Sequence, residues 1–342
     1  MPEKKAILEK LASVQYPGLE RSIVDLKIVD SVETEGERPI ITLSMQNDEA
    51  FEILRERLAD LFGGNVEVRR KAMAKKRDMN YGHTANPNNR APYAKRVIAV
   101  TSGKGGVGKS TVSVNLAVAL AQKGFKVGLL DADVYGPNIP RMLGTADEKL
   151  RWGENDKIIP SENFGIRIMS VGLTTPTSDT PLVWRSSVAV SALIQFLEDV
   201  DWGELDFLVI DMPPGTGDIQ LTMAQELPIT AGVIVTTPQP VALDDVSRAI
   251  MMFKDIHVPI GGLVENMSFF VAPDTGKRYD IFGTGGGEAT AKRYDIPFLG
   301  QIPLDMQIRE FSDSGTPPVA MGDDVQKGYY RTVAENLLAQ IL

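Results

Sequence analysis

The spacing of apolar positions changes character along the chain. Residues 3–14 place Ile7, Leu8 and Leu11 on one face of a short helix. Two strand-like runs follow, Ser22–Val32 and Pro39–Met45, and the polar segment Glu33–Arg38 between them predicts a hairpin loop. Phe51, Leu54, Leu58 and Leu61 recur at helical spacing within Asp48–Leu61, and Val66–Val68 predicts a last short strand. This α-β-β-α-β order predicts a small α+β domain over residues 1–71. The hydrophobic period then stops. Arg69, Arg70, Lys71, Lys75, Lys76 and Arg77 form a basic cluster, with Asn, Pro, Gly and His as far as Pro92. Residues 72–95 are expected to be a solvated linker, with a contact to an acidic partner or nucleic acid as the alternative.

Beyond Arg96, short β-branched runs alternate with helical patterns. Val97–Val100, Lys126–Leu130, Phe207–Ile210, Gly232–Val235 and Gly262–Val264 suit buried parallel strands. The segments between them are long enough for crossover helices. Residues 96–342 are therefore expected to form a doubly wound α/β sheet. In the tail, Tyr330, Val333, Leu337, Leu338 and Ile341 form a helical stripe that reads as core packing rather than a membrane anchor.

Composition narrows the chemistry. The 342 residues include 36 Lys+Arg and 45 Asp+Glu, and the net charge of −9 argues against a general nucleic-acid binder. No apolar run approaches the ~20 residues of a membrane helix, and the first residues read as an amphipathic helix, not a signal peptide. The expected location is cytoplasmic. There is no cysteine, and His83 and His257 are the only histidines. Disulfides, thiolate catalysis, thiolate-held zinc or iron–sulfur centres and a histidine-rich metal site are thereby excluded within the chain. Mg²⁺ held by carboxylates and phosphate oxygens remains open.

The strongest motif follows the strand Val97–Val100. Gly103-Lys104-Gly105-Gly106-Val107-Gly108-Lys109-Ser110, continuing into Thr111 and an apolar helix, fits G-x-x-x-x-G-K-[ST] in its strand–loop–helix setting. Glycines let backbone N–H groups approach phosphates, and the helix N-terminus adds partial positive charge. Lys109 is expected on the β- and γ-phosphates of ATP, and Ser110 on Mg²⁺. Asp131 and Asp133, at i and i+2 on a strand end, point the same way. Asp133 is favoured to orient the attacking water and Asp131 to hold the metal's hydration shell. Asp211 ends an apolar run, as a Walker B carboxylate does, and is expected to reach Mg²⁺ directly or through water. The following Pro213-Pro214-Gly215-Thr216-Gly217 stretch is a candidate γ-phosphate-sensing loop. Asn266 carries an amide suited to a purine edge.

The blocks GKGGVGKST, DADVYGPNIPRMLG, TTPQPVAL, ENMSFFV, IFGTGGGE and FLGQIPLD together resemble the Mrp/ApbC family of P-loop ATPases, iron–sulfur cluster carriers of the MinD/ParA superfamily. The first 70 residues resemble, through Ser22–Leu26, the small assembly-factor domain often fused ahead of such ATPases. The resemblance implies that Lys104 reaches the nucleotide of a partner subunit in a face-to-face homodimer. It also implies that Asn266 reads adenine, that hydrolysis is slow and that iron–sulfur assembly proteins are partners. Family members place Cys-x-x-Cys just after the ENMS block. Here Ala272 and Thr275 hold those positions, and neither side chain replaces a thiolate on iron. The leading expectation is a homodimeric MgATPase of cluster assembly that lacks cluster ligands of its own. The alternative is a nucleotide-switched positioning or interaction protein of MinD/ParA type. A small-molecule kinase or ligase ranks last, because no acceptor pocket is evident.

Overall fold

A computed structural model describes residues 2–19, 21–26, 28–36, 38–45, 48–71, 89–174 and 186–342. Residues 72–88 of the expected linker, including Lys75, Lys76 and Arg77, lie outside them. Contacts divide the chain into two compact units, one of residues 1–79 with 335–342 and the other of residues 80–334.

The first unit contains the helix Pro2–Leu11, strands β1 (Val29–Glu35) and β2 (Arg38–Leu43), the helix Asp48–Leu61 and strand β3 (Glu67–Arg70). β1 and β2 are antiparallel, and β3 joins β2 in parallel. The hairpin is tighter than the sequence suggested. Pairing continues to Glu35 opposite Arg38, so Glu33–Glu35 belong to a strand. Polar residues do not end an antiparallel strand, because one of its faces can remain solvated. Ser22–Leu26, expected within a strand, is a turn instead. The Ser22 hydroxyl bonds the Asp25 carboxylate at 2.8 Å and accepts from the Asp25 N–H at 3.1 Å. Such local side-chain bonds compete with ladder formation. Leu54 and Leu58 bury the inner stripe of the second helix, while Phe51 lies 4.3 Å under the Arg70 guanidinium.

The second unit is built on a mainly parallel sheet. Its chain-order elements are β4 (Ala94–Ser102), β5 (Val127–Asp131), a small ribbon of β6 (Arg151–Trp152) and β7 (Ile158–Ile159), β8 (Ser161–Asn163), β9 (Ile166–Ser170), β10 (Leu205–Asp211), β11 (Ala231–Thr236), β12 (Ile260–Glu265), a second ribbon of β13 (Phe270–Val271) and β14 (Arg278–Tyr279), and β15 (Phe298–Gln301). The eight-stranded order is β15-β12-β11-β4-β10-β5-β9-β8, and only the edge strand β8 runs antiparallel. The five expected strands are β4, β5, β10, β11 and β12; β5 is shifted by one residue from its apolar run, and the other four are longer than theirs by two to five residues. β10 and β11 are buried almost throughout, which explains their continuous apolar sequence. The tail helix Asp324–Ile341 buries its stripe of Tyr330, Val333, Leu337, Leu338 and Ile341. Among the described residues no helix is long and apolar enough to cross a membrane.

Sheet order positions the chemistry. From β4 the chain crosses over β10's place to reach β5, whereas β11 lies on β4's other side. A crevice opens at the carboxyl ends of strands where the winding reverses in this way. Register then sets the neighbours: Asp211 lies opposite Val100 on β4 and opposite Asp131 on β5, and Asp131 lies opposite Ser170 on β9.

Candidate active site

The glycine loop leaves β4 at Ser102 and enters the helix Lys109–Gln122. Gly106 and Gly108 have φ near +80°, a backbone that side chains beyond glycine disfavour. No side chain caps the helix, so its first N–H groups face the loop. Gly103 is needed for space: a Cβ there would lie 2.4 Å from the Asp245 carbonyl carbon. The Ser102 hydroxyl donates to the Lys104 carbonyl at 2.9 Å and fixes the loop's entrance. The Lys104 ammonium pairs with no carboxylate among the described residues, and Val107 is buried under the loop.

Lys109 sits 6% exposed in a lattice of polar groups. Its Nζ lies 2.8 Å from Asp211 and 3.6 Å from Asp133. Asp211, fully buried, also accepts from the hydroxyls of Ser110 and Ser113, both at 2.6 Å. Asp131 is fully buried behind this layer, accepting from the Ser170 hydroxyl at 2.8 Å and the Asp133 N–H at 3.2 Å. Burial and the neighbouring Asp211 charge push the Asp131 carboxyl up to about 8. Burial also raises Asp133, against the pull of Lys109. The two carboxylates of the i, i+2 pair are thus separated in environment. Asp133 faces the crevice, and Asp131 holds the backbone that carries it.

A cavity of about 460 Å³ opens above the loop. Gly105, Gly106, Gly108, Lys109, Ser110, Thr111 and Asp133 line one end. Asn266, Met267, Pro303, Leu304 and Asp305 line another part of its wall. Pro214, in the proline-rich loop, also faces it, and the Gly215 N–H donates to the Ser102 carbonyl at 2.8 Å. Asn266 reaches the site from β12, and its amide donates to the Val107 carbonyl at 2.8 Å. Beside it, buried Glu265 accepts from the Ser268 hydroxyl, the Gln301 amide and the Gly287 N–H.

Four contributors escaped the sequence reading: Ser113, Ser170, Glu265 and Gln301. Ser113 carried a signal, since it lies one helical turn after Lys109. Ser170 carried none without β9, which the sequence reading omitted.

After Asn266 the chain forms the β13–β14 ribbon. The Ala272 N–H donates to the Lys277 carbonyl and the Gly276 N–H to the Ala272 carbonyl, at 2.9 and 2.8 Å. The Arg278 guanidinium lies 4.1 Å from the centre of the Phe269 ring. Ala272 is nearly buried and Thr275 is exposed. Donors for a soft metal cluster are missing here, because the chain contains no cysteine.

Residues 93–338 match the ParA family described as "NUBPL iron-transfer P-loop NTPase". The chain belongs to this Mrp/NUBPL-type family of P-loop NTPases. The Mrp-type relatives include the iron–sulfur cluster carrier protein of Deinococcus radiodurans, 43% identical over 98% of this chain and 95% of its own length. They also include the iron–sulfur protein required for NADH dehydrogenase, mitochondrial, of Arabidopsis thaliana, 51% identical over 71% of this chain and 78% of its own. Among solved structures, the nucleotide-binding protein of Archaeoglobus fulgidus in complex with ADP is 37% identical, with a TM-score of 0.62, covering 70% of this chain and 94% of that one. MinD of Pyrococcus horikoshii complexed with Mg-ADP is 25% identical, with a TM-score of 0.54, over 71% and 95%. The parallel sheet and glycine loop are therefore those of the ParA/MinD superfamily.

The donor set of this Mrp-type site fits Mg²⁺. The Ser110 hydroxyl and the Asp211 carboxylate, 2.6 Å apart, are hard oxygen donors. Among the described residues no group of three or more His, Cys, Asp or Glu side chains forms a metal cage.

Proposed function

We propose that this chain binds MgATP and hydrolyses it slowly by in-line attack of water on the γ-phosphate. We further propose that it serves iron–sulfur cluster assembly without cluster ligands of its own. The observation that carries the reading is the convergence of Lys109, Ser110, Asp133 and Asp211 on one glycine loop at the sheet's switch point. Mg²⁺ held by Ser110 and Asp211 would supply positive charge against the phosphates.

The residues supply the rest. Backbone N–H groups of residues 105–111 and the Lys109 ammonium hold the phosphates. Ser110 and Asp211 orient the metal's ligands. Asp133, facing the crevice, accepts a hydrogen bond from the attacking water. The water oxygen forms the new bond to phosphorus as the bridging oxygen departs with ADP, and the water's protons end on phosphate and in solvent. Asp131 positions Asp133 through its N–H. Asn266 and the Pro303–Asp305 segment offer the adenine end of the cavity. Lys104, unpaired with any described carboxylate, reaches across a homodimer to the partner's nucleotide. Residues 1–71 form the assembly-factor-like domain, in the cytoplasm; of the expected linker 72–95, Ala91 and Ala94 are buried in the second unit and β4 begins at Ala94, so the linker ends before them.

The cluster-assembly half rests on the names of the relatives and meets a chemical limit here. Neither Ala272 nor Thr275 ligates iron, so cysteine-bearing assembly proteins supply the thiolates. The positioning alternative gains nothing from the tail helix, whose apolar stripe is buried. Calorimetric titration of the purified chain with MgATP, with phosphate release followed in parallel, tests the nucleotide reading. Saturable binding with slow release of one phosphate per ATP is expected. A chain that neither binds nor hydrolyses MgATP overturns it.

A further inference from the structure

Asn266 does something that base recognition does not require. Its side-chain amide donates to the main-chain carbonyl of Val107, inside the glycine loop, at 2.8 Å. The residue is 6% exposed and lines the cavity. The approach is close enough to dictate its neighbour: a Cβ on Gly108 would lie 2.1 Å from the same amide nitrogen. A loop that only wrapped phosphates would need Gly108 for its φ of +82° alone. Here the glycine also makes room for the amide.

The other end of the strut is anchored on both sides. The Asn266 N–H donates to the Thr236 carbonyl at 2.8 Å, which ties it to β11. Glu265, one residue earlier and fully buried, gathers Ser268, Gln301 and Gly287. Met267, one residue later, takes a left-handed φ of +52°, unusual for a long side chain, and the Ser268 N–H closes the turn on Ile302 at 2.9 Å. An amide held this firmly can fix the position of a flexible loop.

We propose that Asn266 is a positioning residue of the phosphate site. It pins the Val107 carbonyl so that the loop's N–H groups keep the curvature that binds phosphate, independently of any contact with the base. This rests on the MgATP reading and adds to it. Base contact alone would make Asn266 matter for a nucleotide and not for a bare phosphate chain. A strut makes it matter for both.

The test uses a ligand without a base. Binding of MgATP and of magnesium tripolyphosphate is measured by calorimetry for the full chain and for Asn266→Asp and Asn266→Ala. Aspartate keeps the shape, removes the donor and adds a charge, whereas alanine removes the side chain with no new charge, so a loss shared by both reports the missing donor. Thermal melting of both shows whether either substitution has merely unfolded the site. Loss of one buried hydrogen bond is expected to weaken tripolyphosphate binding about tenfold in both variants. MgATP should weaken by at least as much, while melting stays close to that of the parent. Tripolyphosphate affinity equal to the parent's in either folded variant, with MgATP weakened or not, overturns the strut. Failure of the parent chain to bind MgATP is a separate result and sinks the nucleotide reading instead.

Discussion

Asn266 touches the glycine loop and its chain runs on into the β13–β14 ribbon, yet loop and ribbon are built on opposite plans. Around Lys109 nearly every polar atom has more than one partner: Asp211 meets one ammonium and two hydroxyls, and Asp131 meets a hydroxyl and a backbone N–H. The ribbon is closed by main-chain bonds, and its tip side chains hold little. The Thr275 hydroxyl makes two long contacts, donating to Asp274 at 3.4 Å and accepting from the Lys277 N–H at 3.5 Å. A dense polar lattice tolerates few changes, because removing one partner leaves another buried and uncompensated. A ribbon held by its backbone tolerates most changes at its tip. The ribbon without the cysteines that the family resemblance leads one to expect lies on the tolerant side of this difference, and the glycine loop on the intolerant one.

Breaking the dense side should have the largest effect. Lys109→Ala is expected to reduce MgATP affinity at least a hundredfold, measured by calorimetry, and to destabilise the fold by about 3 kcal/mol by stranding Asp211. Unchanged affinity would mean that the loop is not the phosphate site. The next test acts on the sparse side. Anaerobic reconstitution of the natural chain with iron and sulfide should leave both at background. Ala272→Cys combined with Thr275→Cys should acquire a visible absorption band and bound iron, because only thiolates are lacking. A stoichiometric cluster on the unaltered chain would overturn the ligand argument.

Lys104→Ala tests the site's edge. Monomer affinity for MgATP should change less than about threefold, because the half-buried side chain pairs with no carboxylate among the described residues. ATP-dependent dimerisation, followed by light scattering, should be lost. Full dimerisation would remove the cross-subunit role. The smallest effect belongs to Thr275→Ala, with stability within about 0.5 kcal/mol of the parent and MgATP binding unaltered. A larger change would show that the ribbon tip is structurally engaged.

Much of the nucleotide end was readable in the sequence, because each of its parts is local. A glycine loop, a strand end followed by Asp, and two carboxylates at i and i+2 are contiguous signals. What was not readable depends on register between distant strands. Ser170 meets Asp131 only because β9 pairs with β5, and β9 has just five residues. Asn266 reaches Val107 across 159 positions of sequence, so its amide looked like base chemistry and nothing showed the loop contact. The hairpin error in the first unit has a different origin: glutamates at Glu33 and Glu35 look like a loop until a solvated strand face is allowed for them.

The cysteine-free ribbon has a consequence for how the protein ages. Iron and sulfide chemistry generates peroxide when oxygen enters, and thiolates are its first target. A chain without thiols cannot form sulfenic acid, mixed disulfides or glutathione adducts, so its shape is indifferent to the redox poise around it. Oxidation passes instead to methionine. Among the described residues Met251, Met306 and Met321 are the exposed methionines, each close to half accessible, and they stand as sacrificial sites ahead of the less exposed Met267 at the cavity wall. Methionine sulfoxide is enzymatically reversible. A partner whose cluster thiolates are oxidised beyond sulfenic acid is damaged irreversibly, whereas methionine oxidation leaves this chain repairable.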